Sequence, residues 1–328
     1  MLICSAALMT SIIFDQASEV SDVVNHESEQ NNIKTPSRQI SNEVPTNKLV
    51  KKINLPYKVT RKKETEKVNK LNKETLKTIS PRVAALWNIN EKSISKAYSK
   101  RINIINKLGQ NLSYQERQSL YKYIRSGPNK NAHDLAAIDY LLIKLESRND
   151  IASEFVEEMS SIVVNKKVDG SVRGYVVQHL GIAYDDKPAF RTELREIYYN
   201  GLKEKSTDVS GTSLMVLTNL SKRFKEFDKE RIKNAAIELA TDSETQHASK
   251  ISILSKLGEL NAIEALPTLR KQVKEGKGIV IKLAAIHSLG QLGKEEDIAL
   301  LEEFLADSSM PVYNKAASKA LDTLKQRI

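Results

Sequence analysis

The sequence predicts an all-α protein, an α-solenoid of about six helix pairs that follows a disordered N-terminal segment. Three observations lead there. The 328 residues are 40% hydrophobic but 5% aromatic, and the 12 Gly and 8 Pro are too few for a fold built on many tight turns. From about residue 92 the chain is a succession of amphipathic segments separated by short polar breaks such as "SGPNKN", "YDDKP" and "EGKG". The segments also resemble one another at a fixed spacing, which is the signature of a repeat architecture.

The chain divides into three stretches. Residues 1–14, "MLICSAALMTSIIF", carry no charge and are too short to span a bilayer, which takes roughly 20 apolar residues. They read as the apolar part of a signal peptide without its basic start, so the protein is expected outside the cytoplasm, periplasmic or secreted, with a cytoplasmic location as the alternative. This stretch is the one place where a membrane contact is expected. Residues 15–80 are dominated by Ser, Asn, Glu, Lys and Thr and are expected to be disordered, since they lack the apolar surface to offset ordering. The solenoid is expected over 81–328.

Charge is unevenly placed. Residues 1–47 hold two basic and six acidic side chains, whereas residues 48–82 hold twelve basic and three acidic ones. The Lys-rich segment is expected to be a solvated linker, with attraction to phosphate or anionic lipid as the alternative. The single cysteine, Cys4, permits no internal disulfide.

Order is expected to begin at "SPRVAALW", with Ser80 as N-cap, Pro81 in the first turn and Trp87 sealing the near end. Ser113 and Glu116 fit a capping box, and Asp186 before Lys187-Pro188 fits a helix entry. Taking Leu289 as an anchor, equivalent leucines are Leu141, Leu180, Leu220, Leu257 and Leu321, at spacings of 39, 40, 37, 32 and 32 residues. Glycine follows the anchor at 181, 258 and 290. Each helix pair is apolar on too wide an arc for its partner to cover, so stacked neighbours must bury the rest. Alanines 284, 285, 316 and 317 are expected to let second helices approach closely, and Gly290 and Gly293 to loosen and end theirs.

"SVRGYVVQHLG" and "IVIKLAAIHSLGQLG" resemble the second helix of a HEAT repeat, in the short bacterial form also found in phycobilisome lyase-like proteins. "NAIEALPTLRKQV" resembles the first helix, with Pro267 near its start. The resemblance is strongest over 244–328. It implies a right-handed α-solenoid and little about function, because HEAT arrays serve as scaffolds, adaptors, lyases and, in one DNA-repair branch, glycosylases. It also implies that the second helices line the concave side.

No nucleotide loop, HExxH or CxxC motif is present, so no catalytic residue, cofactor or metal is expected. "GKG" at 276–278 reads as a turn between helices. His179 and His287 fall three repeats apart, too far to share a metal. Positions one and two before the anchors are expected to form an outward strip, whose candidate binding residues are Tyr140, His179, Lys256, His287 and Lys319. Seven residues before an anchor stand Arg173, Lys250 and Lys282, a candidate basic ladder that either pairs with acids of neighbouring repeats or accepts phosphates and carboxylates. Eight tyrosines gather in the first half of the array, read as half-buried seam residues ahead of a recognition surface. The expected function is a non-catalytic scaffold for a protein or peptide partner. Nucleic-acid binding through residues 48–82 and the basic positions is the alternative, and a lyase-like or glycosylase-like HEAT enzyme the second.

Overall fold

The computed structural model describes residues 80–89, 93–109, 111–127, 132–306 and 311–328. The readings of residues 1–14 as a signal, of 15–80 as disordered and of 48–82 as a basic segment therefore fall outside the described residues, apart from Ser80, Pro81 and Arg82. Among the described residues there are fourteen α-helices and no strand. None of the helices is long and apolar enough to cross a membrane.

In chain order the helices are α1 (Pro81–Trp87), α2 (Ile94–Asn106), α3 (Tyr114–Ser126), α4 (Ala132–Glu146), α5 (Ala152–Val164), α6 (Gly170–Asp186), α7 (Arg191–Gly201), α8 (Asp208–Ser221), α9 (Lys229–Thr241), α10 (His247–Lys256), α11 (Leu266–Glu275), α12 (Ile279–Leu292), α13 (Asp297–Ala306) and α14 (Pro311–Arg327). Their starts follow the local chemistry. The Ser80 side chain accepts from Val83 N ahead of Pro81. Ser113 and Glu116 complete both halves of the capping box, at 3.3 and 2.8 Å. Pro267 lies in the first turn of α11. The expected entry at Asp186 is displaced: Asp186 ends α6, Pro188 opens a 3-10 turn, and α7 begins at Arg191. Proline cannot follow Asp186 into a continuous helix without losing a ladder bond, so the chain bends there first.

The six anchors lie in or next to the even-numbered helices from α4 to α14, and none is more than 3% exposed. The pair α1–α2 adds a seventh layer ahead of them. Each even helix packs on the next, α2 on α4 and so on without a gap to α14. The odd helices pack closely on one another only at α1–α3 and α5–α7. Elsewhere long side chains bridge them: Arg270 reaches Asp297 across α11–α13 at 2.7 Å. On α3–α5, where no close packing occurs either, Arg117 reaches Glu154 at 2.6 Å. A stack packed tightly along one row and splayed along the other curves toward the tight row, so the even helices form its inner side.

Small residues create that tight row. A side chain at Gly211 would place its Cβ 2.6 Å from Ser249 Cα on α10, and one at Gly290 would place it 2.7 Å from Ala320 Cα on α14. Gly290 thus does not loosen the helix as expected. It lies inside α12, where α14 comes too close for a side chain, and Gly293 alone serves as the C-cap. Trp87 closes the near end only in part, for it is 38% exposed and meets the Tyr123 ring edge-on at 5.3 Å. Six of the eight tyrosines are buried, leaving Tyr114 and Tyr140 at the surface.

Candidate functional site: the inner face of the even helices

The outward line on the even helices follows from helix geometry. Residues four apart nearly superimpose on one face, and a single residue turns by 100°. Counting from each anchor, the position two after it is reached by solvent in every repeat from α4 on: Ile143, Ile182, Lys222, Glu259, Gln291 and Thr323. Two before the anchor, Asp139, Gln178 and His287 are half-buried and Lys319 is exposed, while Thr218 and Ser255 are buried.

The position one before the anchor is mostly turned inward. Tyr140 and Asn219 are exposed there, but His179, Lys256, Ser288 and Ala320 are buried. These residues turn into the seam with the preceding repeat. Ser288 Oγ donates to Leu254 O at 2.6 Å, and Ala320 backs onto Gly290. His179 contacts Asp139 and Glu146 of α4. Lys256 ties to Glu259 at 2.5 Å, whose other oxygen takes Lys222 at 2.6 Å. His179 and Lys256 are therefore not part of an outward strip. Of the five candidate residues, Tyr140 and Lys319 are exposed and His287 is half-buried. Tyr140 also donates its hydroxyl to Asn106 Oδ1 at 2.6 Å. Burial and the nearby Lys319 charge lower the pKa of His287, keeping the ring neutral at pH 7.

The basic ladder turns inward onto backbone. Arg173 Nη1 donates to Val163 O at 3.1 Å, Lys250 Nζ to Asp242 O at 2.9 Å and Lys282 Nζ to Lys274 O at 3.0 Å. Each acceptor closes the odd helix of the same pair, where carbonyls lack partners and the dipole favours a cation. Asn314 occupies the same register in α14 and donates to Leu305 O at 3.2 Å, so an amide does the same work there without a charge. Arg173 adds a true inter-repeat pair with Glu204, while Lys205 continues the line to Asp242 at 2.6 Å. The hydrogen bonds that Lys205 donates to Asp242 and Glu238 raise its pKa to about 12. Asp169 caps α6, its side chain accepting from Ser171 N at 3.0 Å.

An open groove runs along α6 and α8, lined by Gln178, Ile182 and Asp185 on one side and Met215, Asn219 and Arg223 on the other. It continues toward α10, where Thr212 and Ser252 line it. Its floor is the α6–α8 contact: Val216 of α8 lies so close to Gly181 that an added Cβ would be 2.9 Å from its methyls, and Thr212 lies 3.3 Å from one at Gly174. Arg223 pairs with Asp185 at one lip. Among the described residues no three His, Cys, Asp or Glu side chains are placed to hold a metal ion.

With this geometry in place, comparison with known proteins is informative. The family model described as HEAT repeats matches residues 234–322. Residues 234–322 are HEAT repeats. They run from within α9 through most of α14, the part with the regular 32-residue spacing. Among solved structures the chain is similar to human deoxyhypusine hydroxylase in complex with glycerol, at 13% identity and a TM-score of 0.33, over 78% of this chain and 99% of that one. Likeness of that degree says nothing about chemistry. No curated protein matches the chain.

The first pair falls within the expected 81–328, and its anchor, absent from the six leucines above, has a signal in the sequence. "INKLGQ" at 105–110 parallels "IHSLGQ" at 286–291, which makes Leu108 a seventh anchor and Arg101 the residue seven before it. Leu108 is buried, and Arg101 pairs with Asp134, the same register one repeat on, at 2.5 Å.

Proposed function

We propose that this chain is a non-catalytic HEAT-type scaffold whose even-helix face binds an extended segment of a protein partner. The observation that carries the reading is the groove along α6 and α8. It joins a half-exposed isoleucine, Ile182, and a partly exposed methionine, Met215, to the amides of Gln178 and Asn219. Apolar contact with a few fixed hydrogen-bonding groups suits a peptide backbone and its side chains.

The nucleic-acid reading is less well supported. Arg173, Lys250 and Lys282 are turned onto carbonyls and do not form a column facing outward. Phosphate binding would then rest on residues 48–82. An enzyme reading has no residues to which the chemistry could be assigned.

The test uses the full chain as bait and a partner confirmed by direct titration. Ile182→Asp and Asn219→Ala are each expected to weaken that partner at least about tenfold, with the melting temperature unchanged. Unchanged affinity in both variants, with loss on deleting residues 48–82, would move the function to the basic segment. Binding that falls steeply with salt against DNA or RNA would select the nucleic-acid reading.

A further inference from the structure

His179 lies in the middle of α6 with 2% of its side chain exposed. Both ring nitrogens meet carboxylates of the preceding even helix: Nδ1 is 2.6 Å from Glu146 Oε2 and Nε2 is 3.0 Å from Asp139 Oδ1. Asp139 and Glu146 are two helical turns apart on α4, so one ring spans that face. A neutral imidazole carries one donor and one acceptor nitrogen, and can serve only one of two ionised carboxylates. The other carboxylate would then face a lone pair. The imidazolium donates to both. Glu146 ends α4, where the helix dipole disfavours a carboxylate, and a cation opposite offsets that cost.

We propose that His179 is a proton-operated clamp between α4 and α6, tying the two repeats together when charged and releasing one of its two carboxylates when neutral. The device is specific to this junction, because the equivalent positions hold Lys107, Tyr140, Asn219, Lys256, Ser288 and Ala320.

The remaining elements packed on α6 bring no hydrogen bond or ion pair to the ring. On α8 the one charged side chain is Asp208, which accepts from the Ser171 hydroxyl at 2.5 Å. On α5, Glu154 and Glu158 are taken by Arg117 and Arg125, and Glu157 is exposed. On α7, Arg191 donates to Tyr184 O and Asp185 O at the end of α6, while Glu193, Arg195 and Glu196 complete its charges. Burial alone would lower the His179 pKa, but the hydrogen bonds that the ring donates to Asp139 and Glu146 outweigh it, leaving the pKa above the ordinary 6.5. With a folded pKa raised over the unfolded one, the stabilisation is complete below 6.5 and is lost as pH rises through the folded value.

The clamp is tested on the full chain alone, without any partner, so its failure is separate from failure of the scaffold reading. The His179 ring is titrated by NMR, and thermal melts are taken from about pH 5.5 to 9 for wild type, His179→Gln and Asp139→Asn. The expected result is a wild-type midpoint above 6.5 that Asp139→Asn moves down. The wild-type melting temperature should fall by several degrees more than that of His179→Gln as pH rises through the midpoint. A wild-type midpoint at or below 6.5, or parallel pH profiles for wild type and His179→Gln, would overturn the clamp. Should His179→Gln fail to fold, the wild-type midpoint and its response to Asp139→Asn decide.

Discussion

Arg173→Ala is expected to destabilise the protein by about 3–5 kcal/mol, the cost of removing one partner from a buried charge pair. Arg173 is 2% exposed and Glu204 19%, so the abandoned carboxylate stays largely shielded from water. The Val163 carbonyl at the end of α5 loses its donor as well. Lys282→Ala removes the equivalent carbonyl bond in a later repeat from a partly exposed site, and should cost about 1 kcal/mol or less. Urea melts of the two variants decide the matter. Similar losses would mean that the Arg173 pair contributes nothing beyond the cap.

Leu289→Ala is expected to cost about 2–5 kcal/mol, against about 1 kcal/mol or less for His287→Ala two residues earlier. Leu289 is fully buried at the α10–α12–α14 seam, and truncation leaves a cavity that stiff neighbouring helices cannot close. His287 is half-buried on the inner face, with Gln291 3.3 Å away as its hydrogen-bond partner. Because repeat arrays can unfold in segments, both midpoint and slope of the melt are needed. Equal effects would place the anchor register wrongly.

The anchors were legible in the sequence because a leucine recurring in a helical context marks burial whatever its neighbours do. The outward face was less legible. Whether the residue before an anchor faces solvent or the seam depends on how far each layer is turned relative to the last. No single helix carries that angle. Tyr140 and His179 share a position in their repeats, yet one is at the surface and the other is enclosed. The ladder's common role is less legible for a different reason: it is donation to a carbonyl, which the amide of Asn314 performs as well as a charged side chain does, so a pattern of basic residues alone does not reveal it. The His179 pairing could have been found by reading one repeat upstream, since Asp139 and Glu146 precede it by 40 and 33 residues.

One row of small residues brings successive even helices together. Proton–proton contacts by NMR, on protein labelled at glycine, serine, alanine and valine, test that row directly. Cross-peaks are expected from Gly181 to the Val216 methyls, from Gly290 to the Ala320 methyl and from Gly211 to Ser249, each between adjacent repeats. Absence of these three, or a contact such as Gly181 to Ala320 that skips repeats, would contradict the stacked array and the inner face derived from it.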